Sequence, residues 1–510
     1  MEDKFLLGKG DNPVYLNYSK LNRHGFITGA TGSGKTVTLK LISENLSKAG
    51  IPVFLSDIKG DLASLCKKGE VNDAIAERID HNGLEDFEPR EFPVEFFDVF
   101  SKTGIPVRTT ISQMGPILLS RLMGLNETQE GILNICFKLA DENSWLIIDI
   151  KDLRTMLNYL GDHASDLSSH YGNISKASIG AILRSLLVLE EQGGDQFFGE
   201  PNFDILDFIK LDNEGMGVVN ILSSEELFNH PILYSTFLLW LLSELYERLP
   251  EVGDLDKPKI VFFFDEAHLL FDKKNKLVTE KIELIARLIR SKGVGVFFVT
   301  QKPTDIPDSI ISQCGNRIQH TLRAYTPKEQ KEVKAVAEGF RQKEGDDLVE
   351  EILNLKTGEA VVSVLDEDSK PTLAKKILVN PPESKIGTVD PAIRLNIINN
   401  SSLFSKYSDS IDRESAYEIL SRKKLDDQEK EQERLKAEAE EKIRAKEEQE
   451  AQKKAEKLAN ERAKKEEKLS QAKAKKKTSY IDRVANNILG TIGREIGRQI
   501  SRGIFGNRKR

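Results

Sequence analysis

Residues 29–36 of the chain read GATGSGKT, which satisfies the pattern G-x-x-x-x-G-K-[ST] at every fixed position. A short apolar run, GFIT, precedes this octapeptide, and a helical pattern, VTLKLISENLSKAG, follows it. A strand that passes through a glycine-rich turn directly into a helix is the phosphate-binding unit of parallel α/β sheets. The octapeptide therefore predicts an α/β fold; a glycine-rich turn that binds no ligand is the alternative.

The same loop predicts where a nucleotide would bind. In such turns, successive backbone N–H groups face the phosphates, and the helix N-terminus adds its dipole. Lys35 would reach the β- and γ-phosphates of ATP, and the Thr36 hydroxyl would ligate Mg²⁺. The expected nucleotide-binding residues are Gly29, Ala30, Thr31, Gly32, Ser33, Gly34, Lys35 and Thr36.

A second motif, IVFFFDEAHLLF at residues 260–271, contains the carboxylates that a phosphate site requires. Its five leading apolar residues are typical of a central parallel strand that is buried on both faces. Asp265 would stand at the carboxyl end of this strand, where ligands bind in such sheets. We expect Asp265 to hold the Mg²⁺ and Glu266 to act as general base toward the attacking water. An acidic N-cap of the next helix is the alternative, and it is compatible with both roles.

The letters DEAH also name a class of RNA helicases, but the rest of the sequence argues against that class. Those enzymes carry two RecA-like lobes, an S-A-T triplet and a Q-x-x-G-R-x-G-R stretch, and neither motif occurs here. The sequence contains one phosphate loop, and the chain after Arg323 has too little α/β pattern for a second lobe. We therefore interpret His268 as a helix residue near the site.

Short apolar runs elsewhere alternate with helical patterns, which indicates a parallel sheet. A hairpin is expected around an Asp- and Ser-rich turn within residues 355–371. Between about residues 62 and 216 the pattern is mostly helical, so we predict a helical insertion there, within a domain that spans residues 1–390. The predicted strands are 25–28, 52–56, 217–221, 260–264, 294–299 and 317–323.

The segment ELIARLIRSKGVGVFFVTQKPTDIP, which follows the acidic pair, runs from a helix through an arginine to a strand that ends in Thr-Gln. This order resembles the HerA/FtsK superfamily of ring-forming P-loop ATPases. Three further stretches look like the bacterial HerA-like helicase group typified by YjgR: GIPVRTTISQMGPILLSRLMGLNETQEGILNI, LEEQGGDQFFGEP and TFLLWLLSELYERLPEVGDLDKPKIVFFFDEAHLLF. The resemblance covers roughly residues 1–390 and returns in GRQISRGIFG near the C-terminus.

This resemblance implies a RecA-like core, a homo-hexamer with ATP sites between subunits, and DNA as substrate. Arg290 would be a trans-acting finger that neutralises phosphoryl charge, and Gln301 would sense the γ-phosphate. The alternative for Arg290 is a basic residue that interacts favourably with the dipole at a helix C-terminus. Arg317 and Arg323 are reserve candidates, since alternation places them on one face of a strand. Asp57, in SDIKGD, would either shape the site or form an ordinary turn.

The N-terminus departs from the resemblance to HerA. HerA proper carries a β-barrel before its ATPase domain, whereas about 28 residues precede the phosphate loop here. We therefore expect no such barrel and carry over no docking of a nuclease partner. The sequence also predicts neither the membrane portion nor the winged-helix end of FtsK.

Charge is unevenly distributed along the chain. Residues 421–510 hold 27 of the 74 basic and 17 of the 81 acidic side chains. Positions 1–420 therefore carry 47 basic and 64 acidic residues, a net charge of −17, whereas the remainder carries +10. An acidic body argues against generic DNA coating, because affinity for phosphates comes largely from released counterions. Any nucleic acid would have to lie in a local basic channel.

The chain after residue 390 falls into three segments of different composition. Residues 391–420 are predicted to be a polar linker. In residues 421–477, 35 of 57 side chains are charged, which predicts a solvated helix supported by i,i+4 pairs, or a coiled coil. Isoleucine or valine recurs every three or four residues in 478–510 beside arginines, as in a basic amphipathic helix. That helix could dock on the body, on a sister subunit or other protein partner, or on an anionic membrane surface.

Composition predicts a soluble, cytoplasmic protein. The three cysteines are widely spaced and form no CxxC pair, so neither a disulfide framework nor a zinc site is suggested. The N-terminus lacks the basic start and apolar core of a secretory signal. The most apolar long stretch, residues 232–242, is too short to span a bilayer and predicts a buried helix.

Two functions are compatible with these features. The first is Mg²⁺-dependent ATP hydrolysis by a ring ATPase that translocates on DNA or unwinds it. The second uses the same fold to remodel protein, or to act as a nucleotide-switched assembly scaffold that does not act on DNA. The residues support nucleotide chemistry, whereas DNA as the substrate rests on the resemblance alone.

Overall fold

The computed structural model describes residues 3–271 and 276–472 of the chain. In this part of the chain the strands are β1 Lys4–Lys9, β2 Pro13–Asn17, β3 Gly25–Thr28, β4 Val53–Asp57, β5 Val94–Asp98, β6 Ile105–Pro106, β7 Val219–Ser223, β8 Ile260–Phe264, β9 Val294–Thr300, β10 Asn316–Gln319, β11 Glu359–Ser363 and β12 Lys375–Val379. They form one sheet in the order β2-β1-β12-β11-β10-β3-β9-β8-β4-β7-β5-β6.

The sheet is mostly parallel, as predicted. From β10 through β3, β9, β8, β4, β7 and β5 to β6, every neighbouring pair runs parallel. The strands β11, β12, β1 and β2 extend the other edge through antiparallel pairs. The predicted α/β core with a parallel sheet is therefore confirmed. Strands β3, β9, β8 and β4 occupy its centre, so the loops at their carboxyl ends are neighbours.

The predicted strands agree with the structure most closely where the apolar run is unbroken. GFIT and IVFFF are β3 and β8 without any shift, and every residue of β8 is fully buried. The predicted strand 317–323 is wrong in its second half, because the chain leaves the sheet after Gln319. The predicted hairpin is confirmed as β11 and β12, although β12 begins only at Lys375. No prediction was made for β1 and β2.

The helices are α1 Lys35–Lys48, α2 Asp73–Asn82, α3 Ile111–Leu122, α4 Glu127–Asn143, α5 Ile150–Asp162, α6 Ala164–Tyr171, α7 Lys176–Glu191, α8 Gly194–Phe197, α9 Glu225–Phe228, α10 Pro231–Arg248, α11 Lys276–Leu288, α12 Asp308–Ile311, α13 Pro327–Glu338, α14 Leu348–Asn354, α15 Pro391–Asn400, α16 Ser402–Tyr407 and α17 Ala416–Ala472. Helices α2 to α8 lie in the predicted insertion. The insertion also contains β5 and β6, which lengthen the sheet beyond β7 and which the sequence analysis missed.

Helix α10 lies in the core, as its apolar sequence predicted. Its tryptophan, Trp240, is 1% exposed, and the ring contacts Phe197 and Phe237 edge-on or tilted. Such buried aromatic pairs add to the free energy gained by burying their area. No helix within residues 3–271 and 276–472 is long and apolar enough to cross a membrane.

Residues 391–420, predicted to be a linker, pack on the sheet edge formed by β5 and β6. Ile398, Leu403 and Tyr407 are each at most 3% exposed. The Tyr407 hydroxyl donates to an Asp207 carboxylate oxygen at 2.6 Å, and its carbonyl accepts from Arg108 at 2.9 Å. These three apolar side chains give the segment a buried face, although most of its residues are polar. The segment therefore belongs with the body rather than forming a free connector.

The described chain divides after residue 423 into two units. In the first unit, the N-terminus of α17 is fixed by Asp152, which accepts hydrogen bonds from the Ser415 hydroxyl (2.5 Å) and the Tyr417 N–H (2.9 Å). In the second unit, α17 continues to Ala472, and all side chains of residues 424–464 are exposed. The long charged helix is confirmed this far, and the coiled-coil alternative stays a prediction. The predicted amphipathic helix 478–510 lies outside the described residues.

Helix α1 carries two buried charges one turn apart, Lys40 and Glu44, which are 1% and 0% exposed. Glu44 accepts the N–H of Glu383 at 2.7 Å, and the N–H (3.1 Å) and hydroxyl (2.5 Å) of Ser384. Lys40 donates to the Ser64 hydroxyl at 2.6 Å. Burial lowers the pKa of Lys40 to about 8 and raises that of Glu44 to about 7. These contacts hold the chain after β12 against the helix that follows the phosphate loop.

We expect Glu44→Ala to lower the free energy of unfolding by about 2–5 kcal/mol, because it leaves three buried donors without their acceptor and removes a negative charge that favours the charged form of Lys40. Urea denaturation measures the loss. The exposed Glu77→Ala serves as control and should change stability by less than about 0.5 kcal/mol. The double variant Lys40→Met/Glu44→Leu should recover part of the loss. A Glu44→Ala protein as stable as the wild type would contradict this account of the pair.

Candidate nucleotide-binding site

Four strand ends meet at one edge of the sheet and enclose a cavity. The phosphate loop follows β3, Gln301 follows β9, Asp265 follows β8, and the loop 58–61 follows β4. Because these strands are parallel neighbours, their carboxyl ends lie side by side, where ligands bind in such sheets. The cavity is lined by Thr31, Gly32, Gly34, Lys35, Thr36, Val37, Leu39, Asp57, Lys59, Asp61, Leu62, Asp265, Val299 and Thr357.

Two glycines of the phosphate loop are required by their surroundings. Gly29 has φ +153°, and a Cβ there would lie 2.5 Å from the Cβ of His320. Gly34 has φ +114°, and a Cβ there would lie 3.2 Å from the Cα of Gly358. Both φ values are ones that residues with side chains rarely adopt. The loop is therefore packed closely against the two later segments that contain His320 and Gly358.

Those two segments support the phosphate loop through backbone hydrogen bonds. The N–H of Ala30 donates to the Thr321 carbonyl at 2.8 Å, and the N–H of Gly358 donates to the Ser33 carbonyl at 3.0 Å. The buried His320 ring bridges Thr38 (2.9 Å) and the carbonyl of residue 359 (2.8 Å), and burial lowers its pKa to about 4. A neutral ring therefore lies beneath the loop. The sequence analysis missed both supports, which lie about 290 and 325 residues further along the chain.

Lys35 lies at the start of α1 and is 8% exposed. Its ammonium donates to the carbonyls of Gly29 at 2.6 Å and Ala30 at 3.0 Å. Burial lowers the pKa of this ammonium, and the negative charges of Asp265 and Glu266 oppose that shift. The loop thus holds a desolvated cation at the cavity, where its interaction with an anionic ligand is stronger than it would be in water.

Asp265 and Glu266 occupy the end of β8 in different environments. An Asp265 carboxylate oxygen accepts the N–H of Glu266 at 2.9 Å. Burial, together with the neighbouring charge of Glu266, raises the pKa of Asp265 to about 6. Glu266 has φ +48°, which is uncommon for a residue other than glycine and marks local strain of the kind often found at functional sites.

Glu266 is 6% exposed and is held by two side chains. The Gln301 amide donates to one carboxylate oxygen, and the His268 Nδ1 lies 3.4 Å from the other. Burial raises the pKa of Glu266, but the nearby His268 ring and the hydrogen bond from Gln301 outweigh it, so the pKa lies below its usual value. Glu266 is therefore an ionised, oriented carboxylate at neutral pH. His268 lies in the 3₁₀ turn Ala267–Phe271.

Gln301 connects the phosphate loop to Glu266. Its side-chain oxygen accepts a hydrogen bond from the Thr31 hydroxyl at 2.6 Å, while its nitrogen donates to Glu266. A change at the phosphate loop would therefore reach the carboxylate through one side chain. This position is compatible with the sensing role expected of Gln301, which stays a prediction.

Arg290 lies away from the cavity of its own chain. It precedes β9, at the end of the sheet opposite Gln301, and seven residues of strand at about 3.3 Å each separate these ends by about 23 Å. Its guanidinium lies 3.3 Å from a carboxylate oxygen of Asp254. Arg290 cannot reach a nucleotide bound to its own subunit, so any catalytic role would have to be exerted on a neighbouring one.

The two reserve arginines do not share a strand face. Strand β10 ends at Gln319, so the alternation that was expected to align Arg317 with Arg323 does not exist. Arg317 donates to the carbonyls of Gly339 (2.6 Å), Ile311 (3.2 Å) and Cys314 (3.3 Å). Its guanidinium therefore fixes the chain around β10. The His320 N–H still bonds to the Thr28 carbonyl at 2.7 Å, and the chain then turns beneath the phosphate loop, where the Thr321 carbonyl accepts the Ala30 N–H.

Asp57 organises the loop that follows β4. Its two carboxylate oxygens accept the N–H groups of Gly60 at 2.8 Å, Leu62 at 3.1 Å and Ala63 at 3.2 Å. The carboxylate is 6% exposed, and it also lines the cavity. Asp57 thus combines both expected alternatives, since its turn forms one wall of the site. The sequence analysis named Asp57 but missed Lys59 in the same loop.

The residues at the cavity suit Mg²⁺ only together with phosphate. Thr36 and Asp265, the predicted metal ligands, both line the cavity. Within the described residues, no group of three or more His, Cys, Asp or Glu side chains could hold a metal ion alone. Mg²⁺ sites of this type take one or two protein oxygens and complete the octahedron with water and phosphate oxygens. A hydroxyl and a carboxylate fit that requirement.

The sheet order, the phosphate loop and the acidic strand end define the P-loop nucleoside-triphosphatase class of fold. Within that class, the family model described as Helicase HerA-like C-terminal matches residues 2–510. The chain therefore belongs to the HerA-like helicase C-terminal family.

Individual relatives are distant. The chain is 25% identical over 359 residues to the DNA double-strand break repair helicase HerA of Sulfurisphaera tokodaii, which is 69% of this chain and 64% of that protein. It is 26% identical over 384 residues to the HerA of Sulfolobus acidocaldarius, 74% of this chain and 69% of that one. The match to the first relative thus spans less than two thirds of its length.

Two solved structures share the fold. The bacterial conjugative coupling protein TrwB lacking 70 N-terminal residues, in its unbound form, superposes with a TM-score of 0.51 at 14% identity, over 77% of this chain and 92% of that one. TrwB in complex with the non-hydrolysable GTP analogue GDPNP gives the same TM-score, identity and coverage. At this identity the likeness concerns the fold alone.

Proposed function

We propose that the chain hydrolyses ATP in a Mg²⁺-dependent reaction and uses it to translocate on DNA or to unwind it. The observation that carries the nucleotide part is the cavity at the carboxyl edge of the sheet. There, the buried cation of Lys35 lines the cavity together with Asp265, and the ionised carboxylate of Glu266 follows Asp265 at the end of β8. A cation that binds phosphate and a carboxylate that accepts a proton from water are the two groups that phosphoryl transfer to water requires.

The proposal assigns a role to each residue of the site. The phosphate loop binds the β- and γ-phosphates, and Lys35 balances their charge. Glu266 orients the attacking water and accepts its proton. Gln301 orients the Glu266 carboxylate and senses the γ-phosphate through its contact with Thr31. Thr36 and Asp265 would hold Mg²⁺, which would neutralise the charge that develops on the phosphates.

The DNA part of the proposal is supported by the family. The two HerA relatives described above are named as DNA double-strand break repair helicases. The net charge of −17 over residues 1–420 limits where DNA can bind, because phosphate contacts need clustered cations. We therefore expect contact in a narrow, salt-sensitive channel of an assembled ring rather than over a broad surface.

Protein remodelling, or a nucleotide-switched scaffold, is the second candidate. The observation that favours it is α17, whose charged side chains in residues 424–464 are all exposed. A solvated helix of this length is suited to contact another protein. Under this candidate, ATP turnover would respond to a protein partner and not to DNA.

Release of phosphate from ATP by the purified full-length chain tests the nucleotide part. We expect turnover with Mg²⁺ and none with excess chelator. A protein that binds no ATP, or that hydrolyses it equally well in chelator, would overturn this part. Fluorescence anisotropy with labelled duplex and single-stranded DNA tests the second part. We expect binding that weakens steeply as salt rises, and an absence of binding at low salt would overturn it.

Mixed rings test the proposed trans role of Arg290. Arg290→Ala and Lys35→Ala should each be inactive alone. If the subunits form a ring with sites between them, an active site needs Lys35 from one subunit and Arg290 from its neighbour. Random mixing of the two variants in equal amounts therefore restores about a quarter of the interfaces. ATP turnover of the mixture measures this recovery.

Arg287→Ala, an exposed arginine one turn earlier in α11, is the control and should keep full activity alone. A mixture as inactive as its two components would contradict the trans role. An active Arg290→Ala protein would contradict any catalytic role and would leave the contact with Asp254 as the function of this side chain.

A further inference from the structure

Lys59 stands on the wall of the cavity, opposite the strands that carry the phosphate loop and Gln301. Its loop follows β4, the neighbour of β8 on the side away from β9. The side chain is exposed and lines the same cavity as Lys35, Thr36 and Asp265. In the part of the chain that the structure describes, the ammonium of Lys59 has no hydrogen bond or ion pair.

The backbone that carries Lys59 is fixed on both sides. Asp57 accepts N–H groups from residues 60, 62 and 63, so the turn around Lys59 is closed by one buried carboxylate. Ser64, immediately beyond, accepts from Lys40 of α1 at 2.6 Å and donates to the Asp61 carbonyl at 2.8 Å. The loop is thereby tied to the helix that begins at the phosphate loop. The backbone of Lys59 is therefore fixed relative to the phosphate loop, and its side chain extends from a constant position.

The charge of Lys59 lies in the same cavity as Lys35 and Asp265. Burial has the largest influence on the pKa of the ionisable groups there. The charge of Lys59 also acts on three of them, namely Lys35, Asp265 and Glu266. Lys59 lines the cavity together with Lys35 and Asp265, and its loop follows the strand next to β8. Its side chain is therefore on the side of the cavity where the γ-phosphate would be attacked.

We propose that Lys59 is a second phosphate-binding cation of this site, which contacts the γ-phosphoryl oxygens of a nucleoside triphosphate bound by the same subunit. This inference rests on the proposed function and adds a residue to it. Lys35 also reaches the β-phosphate, which both ATP and ADP possess, whereas Lys59 contacts only the terminal phosphate of ATP. The loop 57–61 therefore distinguishes the triphosphate from the diphosphate.

Equilibrium binding of ADP and of a non-hydrolysable ATP analogue, both with Mg²⁺, tests this inference on the full-length protein. A charge-assisted hydrogen bond lost from a triphosphate should weaken analogue binding by Lys59→Met about 10- to 100-fold. ADP binding should change less than about twofold, because the β-phosphate contacts remain. Lys59→Arg should recover most of the preference for the triphosphate, since the charge is kept.

Lys68→Met is the matched control, because Lys68 is exposed nearby in the sequence but does not line the cavity. It should bind both nucleotides as the wild type does. Equal loss of analogue and ADP binding by Lys59→Met, or no loss of either, would overturn the inference and leave the proposed ATPase intact. A wild-type protein that binds neither nucleotide would overturn both.

Discussion

Glu266→Gln is expected to bind ATP as tightly as the wild type and to hydrolyse it about 10²- to 10⁴-fold more slowly, which is the usual contribution of a general base. Glutamine keeps the size of the side chain and its contact with Gln301 but cannot accept a proton from water. The structure makes this variant informative, because the pKa of Glu266 is lowered and the wild-type side chain is ionised at neutral pH. Single-turnover hydrolysis and nucleotide binding measure the two effects separately.

Glu244→Gln is the matched control for this substitution. Glu244 is also buried, at 7% exposed, but it lies within α10 rather than at the carboxyl end of a sheet strand. It should hydrolyse ATP at the wild-type rate if it folds with the wild-type melting temperature. Normal turnover by Glu266→Gln would show that another group activates the water, and loss of binding would show that Glu266 mainly maintains the shape of the site.

Lys35→Ala is expected to lose nucleotide affinity by about 30- to 3,000-fold, which corresponds to the cost of truncating one partner of a buried charge pair. The ammonium is desolvated before any ligand arrives, as its lowered pKa indicates. The empty variant should therefore be no less stable than the wild type, because a costly buried charge has been removed. Isothermal titration and thermal unfolding together separate loss of binding from loss of fold.

Lys48→Ala, in the last turn of the same helix, is the control for Lys35→Ala. Lys48 pairs with Glu383 at the surface, and its side chain is 30% exposed. Nucleotide affinity should be unchanged in this variant. If Lys35→Ala binds nucleotide normally, the buried ammonium does not face the phosphates, and the cavity must be assigned a different ligand.

The parts of the fold that the sequence predicted well are those with strong local signals. The phosphate loop needs glycines at φ values that other residues avoid, and β8 needs five consecutive apolar residues to be buried on both faces. Each requirement concerns fewer than ten consecutive residues. The strand and loop were therefore recognisable without knowledge of the rest of the chain.

The missed parts depend on contacts between distant residues. The segments that contain His320 and Gly358 support the phosphate loop through hydrogen bonds to residues about 290 to 325 positions away. No local sequence pattern predicts such partners. Strands β5 and β6 are short, and they belong to the sheet because β5 pairs with β7 and β6 pairs with β5.

The segment 391–420 was interpreted from its polar composition. Three buried side chains, Ile398, Leu403 and Tyr407, were enough to dock it on the sheet edge. Composition averages over the segment, whereas packing depends on which few residues share a face. Lys59 was overlooked for a similar reason, because an exposed lysine in a loop carries no signal until the cavity beside it is known.

The steady-state rate of ATP hydrolysis with and without DNA tests the proposed motor most directly. Purified full-length protein is assayed with Mg²⁺ and ATP at fixed ionic strength, alone and with increasing duplex or single-stranded DNA. The account predicts that at least one form of DNA raises the rate, that added salt reverses the increase, and that Glu266→Gln shows no such response. Robust Mg²⁺-dependent hydrolysis that neither form of DNA alters would contradict the DNA motor and favour a protein substrate.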